Sequence, residues 1–373
     1  MRFDTAPLAG APESPCRGQV GVKFPTTPSF VQNVVYHSSA SFPLISFSSA
    51  PVPGILRSAG SVDHAIGLLS ASKMTYGITI ASIGDASFIT ISAEEFERIK
   101  DAKIKLMAVL EIEEKFDLFM ENYAEYERDV LCISQKQMLR GDGTWTTAMD
   151  DLLLLNRRLV NIVTAGRLYR DQVKHDISTM YGHESVAAND VETAFRREYD
   201  GVLGYRVIEA LRNHIQHEAL PIRNLHYGPE RVSVGGRELV RFTLTPELDT
   251  AALRSSGFKR AVLTEIEQDQ VSPNVTTFLR SFVGGLSRVH SDIRRLTESD
   301  LQKWELQIQR VLLLGREQLF ARVGVAAVAR DECGNHPEVI EVFEEFVQRL
   351  GALRRRYLNV GSLNEWFLSS ETT

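Results

Sequence analysis

The sequence predicts a mainly α fold: a helical bundle with two small β-hairpins and additional C-terminal helices. Three observations carry this. Apolar residues recur at spacings of three and four over long stretches, the mark of helices with one buried face. Only two short segments show the β-branched alternation of paired strands. Glycine and proline fall mainly between the periodic stretches, where they end elements. The chain has 373 residues, 43% hydrophobic and 24% charged, enough to bury a sizeable core.

Residues 1–73 stand apart. They are rich in Ser, Pro, Ala and Gly and carry only five basic and three acidic residues. No period persists there, so this stretch is expected to be low in complexity, poorly ordered or loosely attached. Pattern begins near Met74. "YGITIASIGDASFITIS" holds two β-branched runs around Gly84-Asp85, which predicts a hairpin over 74–92. Ser92 then opens "SAEE", a capping box with Glu95. Phe96, Ile99, Ile104, Met107, Leu110, Ile112, Phe116 and Phe119 carry the first helix to about Ser134.

"GDG" at 141–143 breaks the pattern, and a second helix is expected from about 146 to 178. "YGHES" breaks that in turn. A third helical region spans about 190–220 and stops at Pro221. These helices, over 93–221, form the expected bundle. In the remainder, 222–373, "ERVSVGGRELVRFTLT" is a second hairpin turning at Gly235-Gly236. Helices follow at roughly 275–297, 299–322 and 337–357, with a short piece near 363–368.

Several function classes are excluded or disfavoured. The net charge of −6 rules out a generic basic coat for nucleic acid. Residues 151–260, with sixteen basic and fourteen acidic side chains, are the densely charged segment with a positive balance. No run of eighteen apolar residues predicts a membrane span, and the start "MRFDTAPLAG" lacks the pattern of a secretory signal. Cys16, Cys132 and Cys333 form no CxxC, which suits a reducing cytosol and a cytoplasmic protein.

Chemistry concentrates in "FRREYDGVLGYRVIEALRNHIQHEALP". On a helical wheel Gly204, Val207, Ile208, Leu211 and Ile215 share the apolar face. Arg206, Asn213 and His217 gather opposite, Glu209 lies beside them and Arg212 flanks the stripe. An imidazole that takes and gives a proton near neutral pH suits acid–base work. A guanidinium offers permanent charge in a fork that fits phosphate. Together they match metal-free phosphodiester cleavage in RNA, where the ribose 2′-hydroxyl attacks the adjacent phosphorus.

"LRNHIQH" resembles the signature of the HEPN superfamily, an Arg, a polar residue, three further residues and a His. Arg212, Asn213 and His217 fit it residue by residue. The resemblance implies a bundle of four or more helices over about 93–221 and a homodimer that joins two motifs at a shared cleft. It implies an endoribonuclease that needs no metal or cofactor and leaves a 2′,3′-cyclic phosphate. It also implies service as a toxin or in antiphage defence, with a neutralising or activating partner protein. Arg206 and His214 are expected to touch the RNA.

The motif's loose form is common here. Arg57/His64, Arg170/His175, Arg212/His217 and Arg330/His336 all satisfy it, and requiring Asn after Arg with a four-residue gap leaves 212–217. "YRDQVKH" supplies a rival, Arg170, Asp171 and His175, near the end of the second helix.

Other features read more simply. His214, His217 and His226 lack the carboxylate of an HExxH site, so no metal is expected. "GGL" at 284–286 follows no strand and is no phosphate loop. "EIEEKFDLFMENYAEYERD" is expected to be a solvated acidic face, and "RRR" at 354–356 the solvated end of a helix. Trp145, Trp304 and Trp366 are expected in the core or at an interface.

Overall fold

The computed structural model describes residues 74–81, 87–141, 143–268, 272–321, 324–358 and 360–366. The expectations for 1–73 and for the Gly84-Asp85 turn lie outside these residues. From Met74 onward the chain belongs to one compact unit, so the division expected at residue 221 falls inside it.

Helices dominate. Strands β1 (Thr75–Ile80) and β2 (Ile89–Ile91) lead into α1 (Ala93–Arg140). Ser92 caps α1 by accepting from the Glu95 N–H at 3.1 Å, half of the expected capping box. Gly141 ends it in the left-handed region at φ 61°, with its N–H on the Gln137 carbonyl. Thr144 caps α2 (Trp145–Tyr181), which returns antiparallel along α1.

The third helical region is two helices, not one. α3 (Val186–Gly201) stops and α4 (Leu203–His217) starts across Val202, whose backbone is extended at φ −125°, ψ 109°. The unpaired carbonyls at the end of α3 are met from α4: the Arg206 guanidinium donates to the Tyr199 and Asp200 carbonyls at 2.9 and 2.6 Å. The break is thus stabilised by a side chain that lies after it.

β3 (Ile222–Val234) and β4 (Arg237–Leu248) form the second expected hairpin, with Gly235 and Gly236 at φ 57° and 77° in the turn. Short helices α5 (Thr250–Ser255) and α6 (Arg260–Gln268) follow. Where two helices were expected at 275–297 and 299–322, there is one, α7 (Val275–Leu319). Between the two expected ranges the Thr297 hydroxyl donates back to the Ile293 carbonyl at 3.0 Å and the helix runs on. α7 packs against α1, α3 and α4, so it is a full member of the bundle.

The C-terminal region departs furthest from expectation. β5 (Gly324–Arg330) precedes β6 (Glu338–Phe343) and α8 (Glu344–Arg354), where one helix over 337–357 was expected. β1 pairs with β5, and β5 with β6, all antiparallel. The first hairpin is therefore one edge of a four-stranded sheet in the order β2-β1-β5-β6. Trp145 and Trp366 are exposed and take no part in the core.

Charge inside the bundle has a clear centre. Glu113 of α1 is 2% exposed. It accepts from Arg294 of α7 at 2.9 and 2.5 Å, and His290 of α7 lies 3.2 Å from it. Arg354 at the end of α8 approaches it at 3.5 Å. The other His290 nitrogen meets the Tyr169 hydroxyl of α2 at 2.9 Å, and the Phe116 ring stacks on the imidazole at 3.8 Å. Burial alone would raise the Glu113 pKa, but the bonds from His290 and Arg294 outweigh it and hold the carboxyl down at about 2. Burial lowers the His290 pKa, so its ring is neutral, donating to Glu113 and accepting from Tyr169.

These shifts set the response to acid. The Glu113 carboxyl is depressed from 4.5 to about 2 on folding. That contributes about 3 kcal/mol, present in full above pH 4.5 and lost as the pH falls toward 2. The buried neutral His290 adds a loss that begins as the pH drops through its unfolded value of 6.5. Glu113→Gln takes from Arg294 its carboxylate partner inside the bundle and is expected to cost about 3–5 kcal/mol at pH 7. Urea unfolding at pH 7 and pH 3.5 checks this: the gap between wild type and variant narrows at the lower pH.

Candidate functional site

The two motifs lie on neighbouring helices. α4 runs antiparallel to α2, since Glu209 meets Arg170 at 3.2 Å while Ile222, after α4, bonds through its backbone with the side chain of Asn156. Between the helices is a surface depression of about 370 Å³. Val163, Leu168 and Ile215 give it apolar walls. Arg167, Asp171 and Arg212 supply its charge. One member of each motif, Asp171 and Arg212, therefore reaches the same hollow.

The rest of the rival motif is engaged elsewhere. Arg170 pairs with Glu209 and lies over the Phe195 ring at 5.6 Å. Asp171 accepts from Arg167 at 2.6 Å. His175 is exposed and does not line the hollow. It lies five residues beyond Arg170 toward one end of α2, while His217 lies eight residues beyond Glu209 toward the other. At 1.5 Å per residue the two histidines are about 20 Å apart along the groove.

Asn213 and His217 are exposed and Arg212 is half-buried. Among the described residues none of these three side chains has a hydrogen-bond or ion-pair partner. Five positions on one helix separate Arg212 from His217 by roughly 140°. Arg212 faces α2, and His217 faces away from it.

Arg206 and His214, expected to touch RNA, are held inside the fold instead. Arg206 joins α3 to α4, as described, and also pairs with Glu265 of α6. His214 is buried, 3.2 Å from the Ser256 hydroxyl and edge-on to Phe258. Burial lowers its pKa and keeps the ring neutral. His226 pairs with Glu247. Among the described residues no three His, Cys, Asp or Glu side chains converge as a metal site, and no helix is long and apolar enough to cross a membrane. No family model, curated protein or solved structure matches this chain.

Sequence reasoning missed Arg167 and Glu209 as parts of the site. Glu209 sits between Arg170 and Arg167, at 3.2 and 3.9 Å. A helical wheel of α4 flagged it as polar, but its partners lie on α2, some forty residues earlier.

The arrangement separates fixed residues from free ones, and stability reports the difference. Arg170→Ala leaves Glu209 largely buried without its closest partner and is expected to cost about 2 kcal/mol. Asn213→Ala and His217→Ala are expected to change stability by less than about 0.5 kcal/mol. Denaturant midpoints of the three variants decide the matter; a large loss in His217→Ala contradicts the free placement of that ring.

Proposed function

We propose that the protein is a HEPN-type endoribonuclease that cleaves RNA without a metal ion. The observation that carries this reading is the surface placement of Arg212, Asn213 and His217, three side chains with no hydrogen-bond or ion-pair partner among the described residues, at the end of a helix whose Arg206, Glu209 and His214 are tied into the fold. His217 takes the proton from the attacking 2′-hydroxyl or gives one to the leaving oxygen. Arg212 neutralises the charge that builds on the phosphorane oxygens. Asn213 orients the phosphate or the imidazole.

The divergence of Arg212 and His217 on α4 gives the reading its geometry. One copy cannot aim both groups at a single phosphorus. A second copy related by a two-fold axis supplies the complement, so the active species is a homodimer with two α4 ends across one cleft. The positive balance of 151–260 draws RNA toward it.

A second reading rests on the same divergence: a helical binding module that keeps the motif as a contact between copies and cuts nothing. Total RNA incubated with the protein and a chelator separates the two. The nuclease reading expects fragments ending in 2′,3′-cyclic phosphate, and a loss of at least about 100-fold in rate for Arg212→Ala or His217→Ala. Chelator-sensitive cutting, or full activity in both variants, overturns it. RNA binding without cutting selects the module.

A further inference from the structure

We infer that the depression between α2 and α4 is a subsite for one nucleotide of a single-stranded RNA, its phosphate held by Arg212 and Arg167. The inference rests on the RNA reading above: the phosphate is the one that Arg212 meets there, and what is added is the seat of its nucleotide and the second guanidinium, that of Arg167.

The chemistry of the hollow points to this ligand. Its volume of about 370 Å³ is of the order of one nucleotide. Leu168, Ile215 and Val163 form an apolar wall against which a base face can lie. Thr164, Gln172 and Gln216 stand around it and offer both donors and acceptors to a base edge. At its charged side are two guanidinium groups, a number suited to a phosphate diester in a fork. Arg212 has no anionic partner among the described residues, so it is available without breaking a bond.

Arg167 is in a different state. Its Nε donates to Asp171 at 2.6 Å, and Glu209 stands 3.9 Å from its other side. Both Arg167 and Asp171 are partly exposed, where such an ion pair is worth about 1 kcal/mol or less. A phosphate arriving beside Arg212 therefore competes for Arg167 at little cost. Asp171 acts as an internal anion that occupies the fork until the RNA replaces it. Glu209 stands between Arg167 and Arg170, at 3.9 and 3.2 Å, and anchors both, a positioning role. In this view Asp171 is the residue that weakens binding, although a motif comparison alone places it among the catalytic candidates.

The test uses full-length His217→Ala protein, which under the nuclease reading binds RNA without cutting it. The probe is a fluorescein-labelled hexamer of uridine in buffer with chelator, read by anisotropy over a range of salt. In this background Arg167→Ala and Leu168→Ala are each expected to weaken binding by about 10-fold. Arg167→Ala should lower the slope of log affinity against log salt by about 0.7, the value for one lost phosphate contact on a single strand. Asp171→Asn removes the competing carboxylate and is expected to tighten binding several-fold. Arg295→Ala, far along α7 and highly exposed, controls for the loss of one positive charge. Uridine monophosphate should compete with the hexamer, and inorganic phosphate should compete less well.

Unchanged affinity in Arg167→Ala and Leu168→Ala, or weaker binding in Asp171→Asn, overturns the subsite. If wild type cuts RNA and these variants cut it equally well, the nuclease reading stands and the subsite falls. If the variants shift binding as expected while wild type cuts nothing, the subsite stands and the nuclease reading falls.

Discussion

The buried carboxylate of Glu113 is the constraint on which the bundle depends. A carboxylate taken out of water must find donors, because leaving it bare costs several kcal/mol, a large share of the stability of an ordinary domain. Here the donors come from α7 and α8, and the histidine among them passes the network to α2 through Tyr169. One side chain therefore sets where four helices lie. Arg294 extends the restraint by donating to the carbonyls of Leu353 and Arg356 at the end of α8. The C-terminal elements are thereby locked onto the bundle.

The same logic runs along all of α1. Its acidic stretch was expected to face water, yet Asp117 meets Arg356, Glu121 accepts from the Tyr357 hydroxyl, and Glu127 takes a two-pronged bond from Arg280. "RRR" at 354–356 is a solvated helix end only in part: Arg355 and Arg356 are exposed, yet Arg354 and Arg356 also dock α8 on α1 and α7. A charge run read from one segment looks solvated because its counter-charges lie far along the chain, 153 residues away for Glu127 and 239 for Asp117. No local rule connects Glu113 to Arg354.

The same limit explains which elements were legible. α1 and α2 were plain in the sequence because capping residues and a long apolar period are local signals, and the hairpin at Gly235-Gly236 was plain for its turn chemistry. β5 was not, since "GVAAVAR" is rich in Ala, carries no alternation, and is a strand only because β1 and β6 flank it. The break at Val202 was hidden for a related reason. Nothing at Val202 forbids a helix; the end of α3 is stabilised by Arg206 reaching back, and by Gly204, which lets α4 approach α7 so closely that a Cβ there would stand 2.5 Å from the Ser281 side chain. At the site, the wheel correctly turned Asn213 and His217 outward. It could not foresee that α5 and α6 would cover His214 and Arg206.

This division has a physical use. A side chain that must meet a ligand needs a rigid support and free donors of its own, and these requirements conflict when both come from the same residues. α4 resolves the conflict by separating them along its length. Gly204 and Arg206 fix its start against α7, α3 and α6, Glu209 fixes its middle against α2, and His214 fixes its inner face against Ser256. Every one of these contacts restrains the rotation of the helix about its axis. Because the axis cannot turn, the direction of Asn213 and His217 is settled by the fold, although neither residue makes a bond that holds it. The helix end is thereby set firmly while its exposed side chains make no bond among the described residues, so rigid support and free polar groups coexist on one helix.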